Sequence, residues 1–414
     1  MKLLMIAFHY PPFTTSSGVH RTAKFVKYLP NFGYQAVVLS AHPRAYGADR
    51  SADEASEGES QVIRSFALDS TRHFGIRGRY PGWLALPDRW ISWLPGALLD
   101  GLKTIREHRP ELIWTTYPIA TAHLIGLLLK RLSGLPWVAD FRDPMIDEVH
   151  PTGHLKRRLF AWIEKKTMQR ADRICVTTPG AAVMYRARYP LLDAGKLACI
   201  ENGFDEEDFA GIANAVSVSE GSERPYVLLH SGTVYPLERD PLPMLDALAR
   251  LQSRGAISPR RVRVVLRATG HDEYILSEIA ERGLQDIVSI APALSYRQAL
   301  EEMCGVDGLL LMQAANCNNQ IPAKVYEYLR AGKPILGLVD AKGDTAALLK
   351  SQGIETLYSL DSVDEIEQGL VDFLSVMDRG EGAGVSKEAL ESCTRYRRSG
   401  ELAALFDELL SAGH

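Results

Sequence analysis

The chain has 414 residues, 46% hydrophobic and 24% charged, with a formal net charge of −4. That composition excludes a disordered or fibrous chain, leaves room for two sizeable cores, and supplies no global field for a nucleic-acid partner. Five cysteines, Cys175, Cys199, Cys304, Cys317 and Cys393, are odd in number and lack a C-x-x-C spacing, so they indicate neither a disulfide framework nor a zinc site and fit a reducing compartment.

The opening MKLLMIAF breaks at HYPP, too soon for the apolar region and cleavage site of a signal peptide, and reads as a first strand. From there β-rich apolar runs alternate with helical patterns, which predicts an α/β chain with parallel sheets covered by helices. The first series is LLMIAF, AVVLSA, QVIRSF, LIWTTY, WVADF, RICVTT and LACIEN. After a polar stretch from Glu206 to Pro225 a second series follows: YVLLHSG, RVVLRATG, VSIAPA, GLLLMQ, PILGLV and IETLYSL. Two doubly wound domains are therefore expected, 1–205 and 225–395, with 396–414 a C-terminal helix for which the N-terminal domain is a candidate packing partner. Ligands are expected in a cleft between the domains, at the carboxyl ends of the strands. Tyr46 to Ser60 is polar and acidic and reads as a loop.

The loop after the first strand, HYPPFTTSSGVHRTAKF, puts one glycine before a helix that Ser16 or Ser17 could cap. Gly18 there would let a diphosphate or an acceptor approach the backbone, whereas His9 and His20 rank lower as functional candidates. VADFRDP ends a strand, so Asp140, Arg142 and Asp143 emerge near the ligand, either as an ion-paired loop or as acceptor and sugar contacts. A cation between the two Asp residues makes a poor metal site. HSGTVYPLERDP sends a strand into a turn at Gly232 and a loop bearing Arg239, whose alternative is a surface pair with Glu238 or Asp240.

QIPAKVYEYLRAGKPIL predicts a helix over 322–331: Pro322 suits the first position, Gly332 the left-handed exit, and Pro334 blocks continuation. Lys324 and Glu327 share a face near its N-terminus, where backbone N–H groups favour anions such as a nucleotide diphosphate; a plain surface ion pair is the alternative.

PAKVYEYLRAGKPIL resembles the C-terminal signature of the retaining, nucleotide-sugar-dependent glycosyltransferases of family 4. HYPP, GVHRTAKFVKYLPNFGYQAVVLS, VADFRDP, IENGFD and HSGTVYPLERDP follow in the order that family uses, so the resemblance spans nearly the whole chain. It implies the GT-B architecture, two Rossmann-like domains facing a central cleft. It implies that Glu327 binds the donor ribose, that a glycine at Gly18 lies close to the ligand, and that Arg142 occupies a place where many members carry a His near the donor sugar. Two departures stand out. The second Glu usual eight residues before Glu327 is Asn319, and of two basic residues usual for the diphosphate, Thr233 stands at the first and Arg239 at the second.

The expected function is hexosyl transfer from a UDP- or GDP-sugar to a glycan, lipid-linked or small-molecule acceptor. The resemblance implies retention, and no metal or other cofactor is expected. Arg239 and Lys324 are the catalytic candidates for the departing phosphates, with Asp140, Arg142 and Asp143 beside them; Gly18, Gly232, Thr233, Asn319, Pro322 and Glu327 are the donor-binding candidates. The alternatives are a nucleotide-sugar-binding protein without turnover and a nucleotide-sugar epimerase. Trp83, Trp90 and Trp93, together with Lys156, Arg157, Arg158, Lys165 and Lys166 around Phe160 and Trp162, suggest a cytoplasmic protein that meets an anionic membrane surface; a core role for the tryptophans competes with this.

Overall fold

A computed structural model describes residues 1–13, 17–47, 61–75, 79–147, 150–213, 224–236, 238–380, 382 and 384–411. Ser16, residues 48–60 of the polar loop, residues 214–223 of the expected domain boundary and residues 412–414 of the last helix lie outside these. The chain forms two compact units, Met1–Asn202 with Arg395–His414, and Gly203–Thr394.

The first unit is built on seven strands: β1 (Lys2–Ile6), β2 (Gln35–Ala41), β3 (Gln61–Ser65), β4 (Leu112–Thr116), β5 (Trp137–Phe141), β6 (Arg173–Val176) and β7 (Leu197–Cys199). All pairings are parallel, in the order β3-β2-β1-β4-β5-β6-β7. Every residue of β4 and β5 is buried, as expected of central strands covered on both faces. Alternate residues feed different layers. Ile6, Ile113 and Ala139 join Trp93 and Leu129 on one side, while Leu3, Met5, Trp114 and Val138 meet Phe25 and Phe406 on the other. The helix Ala120–Ser133 packs so closely on the sheet that a Cβ at Gly126 would lie 2.5 Å from Thr115 Cγ2.

The second unit repeats the plan with β8 (Tyr226–Ser231), β9 (Val262–Arg267), β10 (Val288–Ala291), β11 (Gly308–Met312), β12 (Ile335–Leu338) and β13 (Leu357–Tyr358), again parallel and in the order β10-β9-β8-β11-β12-β13. Each apolar run picked out in the sequence carries one of these strands. Both sheets reverse winding once, between β1 and β4 and between β8 and β11. Such reversals are where open α/β sheets bind ligands, in the loops at the carboxyl ends of the strands.

Residues 203–212 belong to the second unit. Phe204 and Phe209 meet edge to face at 6.1 Å, and the Phe204 N–H donates to the Cys393 carbonyl at 3.1 Å. The last helix, Arg395–Ser411, belongs to the first. Its Leu402 and Phe406 are buried with Leu3 and Tyr34, and Tyr34 Oη donates to Asp407 Oδ1 at 2.6 Å.

Arg21, fully buried on the helix Ser17–Tyr28, ties the first unit together at one point. It donates to both oxygens of Asp140, at 3.2 and 2.9 Å, and to the carbonyls of Ile200 and Glu201 at 2.9 and 2.8 Å. Removing one partner of a buried pair leaves an uncompensated charge, which costs about 3–5 kcal/mol. Arg21→Met is therefore expected to lower the thermal unfolding midpoint by roughly 6–20 °C, at about 2–4 °C per kcal/mol for a unit of this size; a calorimetric scan checks it.

Candidate active site

In the first unit the loops after β1, β4 and β5 bring His9, Tyr117, Arg142 and Gly18 together. A Cβ at Gly18 would fall 1.6 Å from Arg142 Nη1, so the space that glycine opens is filled by a guanidinium. Arg142 is 8% exposed, its Nη1 reaches the Tyr117 carbonyl at 3.5 Å, and among the described residues its buried Nε has no hydrogen-bond partner. Burial lowers the Arg142 pKa, against the pull of Asp143 and Asp140. His9 stacks on Phe13 at 4.4 Å, and burial together with the Arg142 and Arg89 charges pushes its pKa down to about 3, leaving a neutral ring. Asp143 stays half-buried beside Arg142.

Asp140 takes the ion-paired alternative: it is 0% exposed, and Arg21 and Thr116 bond both its oxygens.

In the second unit the helix runs Lys324–Ala331, two residues shorter than its sequence pattern predicts. The Val325 N–H bonds the Pro322 carbonyl and the Tyr326 N–H that of Ala323, at 3.0 and 3.2 Å, so Pro322 opens a tight turn ahead of the helix. Gly332 ends it in the left-handed region at φ 68°. Val325, Tyr326, Tyr328 and Leu329 face the core, which turns Lys324 and Glu327 toward the end of β8. The Ser231 N–H donates to Tyr328 Oη at 2.9 Å and fixes that approach.

Gly232, at φ 112°, follows β8, and its missing side chain matters: a Cβ there would stand 3.1 Å from Lys324 Nζ. Lys324 makes no ion pair with Glu327; Nζ reaches His230 Nε2 at 3.2 Å instead. Burial and the nearby Arg239 charge hold the Lys324 pKa well below its ordinary value, with Glu327 opposing. Arg239 Nη1 donates to the Thr233 carbonyl at 2.9 Å, and among the described residues its buried Nε has no partner. Among the described residues Arg239 pairs with neither Glu238 nor Asp240. Two cations thus converge at the carboxyl end of β8, beside the reversal between β8 and β11.

Glu327 Oε1 accepts from Tyr296 Oη at 2.9 Å, while Asn319 is exposed on the loop after β11. Gln313, 5% exposed, shapes that loop by donating to the carbonyls of Cys317 and Gln320 at 2.8 and 2.9 Å. The Ala314 N–H bonds the Glu238 carbonyl at 2.8 Å and so joins this loop to the one carrying Arg239. Among the described residues no group of three His, Cys, Asp or Glu side chains could hold a metal ion.

Residues 18–203 match the family model of the glycosyl transferase 4-like domain. No curated protein sequence matches the chain. Among solved structures, sucrose-phosphate synthase from Thermosynechococcus elongatus is similar at TM-score 0.72 and 14% identity, over 99% of each chain. Anabaena HepE in complex with UDP-glucose is similar at 0.66 and 14%, over 100% of each. The catalytic domain of starch synthase IV from Arabidopsis thaliana, bound to ADP and acarbose, is similar at 0.59 and 12%, over 99% of this chain and 98% of that one. At these identities the likeness establishes the GT-B fold.

Several residues of this candidate site escaped the sequence patterns. Tyr296, Tyr328 and Gln313 sit far from the motif they support, and no spacing rule connects them to it. The surface aromatics also divide differently from the sequence expectation. Trp93 is 0% exposed and belongs to the core, and Trp90 packs on Phe8 at 4.7 Å, whereas Trp83 and Trp162 reach solvent. The helix His154–Arg170 wraps apolar residues such as Phe160 and Ile163 inward and leaves Arg158 and Lys165 outside. None of the described helices is long and apolar enough to cross a membrane.

Gly232→Ala puts a methyl group against the Lys324 ammonium on backbone that side chains rarely adopt. We expect a stability loss of about 1–3 kcal/mol and a fall in kcat/KM of more than about tenfold, read by thermal melting and donor turnover.

Proposed function

We propose that the protein transfers a hexosyl group from a UDP- or GDP-sugar to a glycan, lipid-linked or small-molecule acceptor, with retention and without a metal. The observation that carries this reading is the convergence of Lys324 Nζ and the Arg239 guanidinium on the Gly232 turn. When the bond between the anomeric carbon and the diphosphate breaks, negative charge grows on the phosphate oxygens, and fixed cations there lower the barrier more than they strengthen ground-state binding. A guanidinium can meet two oxygens at once, and the half-buried ammonium supplies a point charge where the family's usual first basic residue is Thr233. Together they take the part that a divalent ion plays at other diphosphate sites.

Glu327, oriented by Tyr296, is assigned to the ribose, and Asn319 to hydroxyls of the donor sugar. Gly18, Arg142 and Asp143 are assigned to the sugar and acceptor side. Attack by an acceptor hydroxyl on the face the diphosphate leaves retains configuration and needs no enzyme nucleophile. The UDP-glucose complex of HepE supports a nucleotide sugar as donor. Trp83 and Trp162 with the exposed Arg158 and Lys165 support contact with an anionic membrane surface on the cytoplasmic side, where a lipid-linked acceptor would lie; failure to sediment with anionic liposomes at low salt would remove that part.

Assays of donor hydrolysis and transfer with a panel of nucleotide sugars, run in a chelator, test the core of the proposal. Donor binding without turnover, or turnover that needs added magnesium or manganese, would overturn it. Glu327→Ala is expected to raise KM for the donor. Arg239→Ala is expected to lower kcat by about 10²–10³ while free nucleoside binds as before, and equal kinetics of both folded variants with wild type would remove these assignments.

A pH effect follows from Lys324. Its pKa is depressed in the free protein and a bound diphosphate raises it, so above the free pKa binding takes up a proton and affinity falls as pH rises. Calorimetric titration with UDP in two buffers of different ionisation heat should show that uptake; release of a proton would contradict it.

A further inference from the structure

We propose that His230 is the positioning residue that aims Lys324 at the diphosphate, an inference resting on the reading of the Gly232 turn given above. His230 lies on β8, 0% exposed, two residues before Gly232. Its Nδ1 stands 3.0 Å from the carbonyl oxygen of Leu310 on the neighbouring β11. A carbonyl can only accept, so Nδ1 carries the proton. Burial and the charges of Lys324 and Arg239 lower its pKa and outweigh the opposing backbone carbonyls of Leu310 and Gly232, so the ring is neutral, and with Nδ1 protonated the lone pair lies on Nε2. Lys324 Nζ, 3.2 Å away, is therefore the donor to that lone pair.

The chain of contacts from the Leu310 carbonyl through His230 to Lys324 ties β11, β8 and the helix Lys324–Ala331 at the reversal point of the sheet. A lysine is a compact charge on a flexible four-carbon stem, and one fixed acceptor settles where that charge sits. The remaining two of its three N–H groups stay available for phosphate oxygens. The neutrality of the acceptor is the physical point. A carboxylate at the same place would orient the ammonium equally well but would neutralise the charge that an incoming phosphate needs. The nearby carboxylate, Glu327, is held by Tyr296 instead.

Titration of the full-length protein with inorganic pyrophosphate tests the proposal. His230→Asn keeps a donor for Leu310 but places no acceptor at the Nε2 position, and it is expected to weaken binding about tenfold, the effect of one charge-assisted hydrogen bond. His230→Gln, whose amide oxygen reaches the Nε2 position, is expected to recover most of that loss. In a Lys324→Met background, His230→Asn is expected to have no further effect, because the two residues act as one unit. An undiminished affinity of His230→Asn, or the same loss with and without Lys324, overturns the positioning role. Pyrophosphate binding as tight in Lys324→Met as in wild type overturns the underlying reading instead. Should the His230 variants fail to fold, nitrogen NMR of the wild-type ring decides: protonation at Nδ1, with an Nε2 shift that changes in Lys324→Met, supports the role, and protonation at Nε2 overturns it.

Discussion

An ammonium group drawn partly out of water needs a hydrogen-bond acceptor, and only a neutral acceptor leaves its charge uncancelled. The second unit supplies such an acceptor through its parallel sheet. Because β8 lies beside β11, the ring of His230 reaches the Leu310 carbonyl on one side and the Lys324 ammonium on the other. The helix that delivers Lys324 is held by its buried tyrosines, and the turn that receives it is left open by Gly232. Loss of any one of these would leave the ammonium with a different neighbour, so the local electrostatics depend on the order in which the strands pair.

The first unit treats its charges in the opposite way. Arg21 spends its donors on Asp140 and on two backbone carbonyls, and both groups disappear from solvent. Arg142, two residues after Asp140, has no partner for its Nε among the described residues and lies against the start of a helix. Neighbouring residues of one motif therefore separate into a fully bonded pair and a group with a donor to spare. The end of the strand produces that separation: Asp140 is still within β5, whereas Arg142 lies just beyond its end.

The layout of strands was legible because parallel, doubly covered strands read as unbroken apolar runs, and all thirteen runs carried strands. Lys324, Arg239 and Gly232 were legible as a group because the motifs holding them end strands or begin helices, where ligands are met. His230 was not. A histidine inside an apolar run looks like a core residue, and only its two partners, 80 and 94 positions away, give it a further meaning. The pairing of Asp140 was hidden for the same reason, since its partner Arg21 is 119 positions distant. Trp83, Trp90 and Trp93 look alike in sequence and differ only by which way the chain turns around them. Composition and spacing report local chemistry, and burial by distant segments decides which of it survives.

The crossing of the chain between units has a consequence for how the molecule comes to be folded. The second unit begins at Gly203 and ends at Thr394, where the Phe204 N–H meets the Cys393 carbonyl. Its two ends are thus side by side once it is folded. The first unit, for its part, lacks Leu402 and Phe406 from the layer around Leu3 and Tyr34 until the last helix has been synthesised. A nascent N-terminal unit would normally finish first as the chain leaves the ribosome. Here that face of its sheet is only partly covered, by residues such as Phe25 and Leu29, until the last helix is added. The folded inserted unit acts as a clasp: by holding its two ends side by side it shortens the effective loop that the last helix must close, and so lowers the entropy cost of docking that helix.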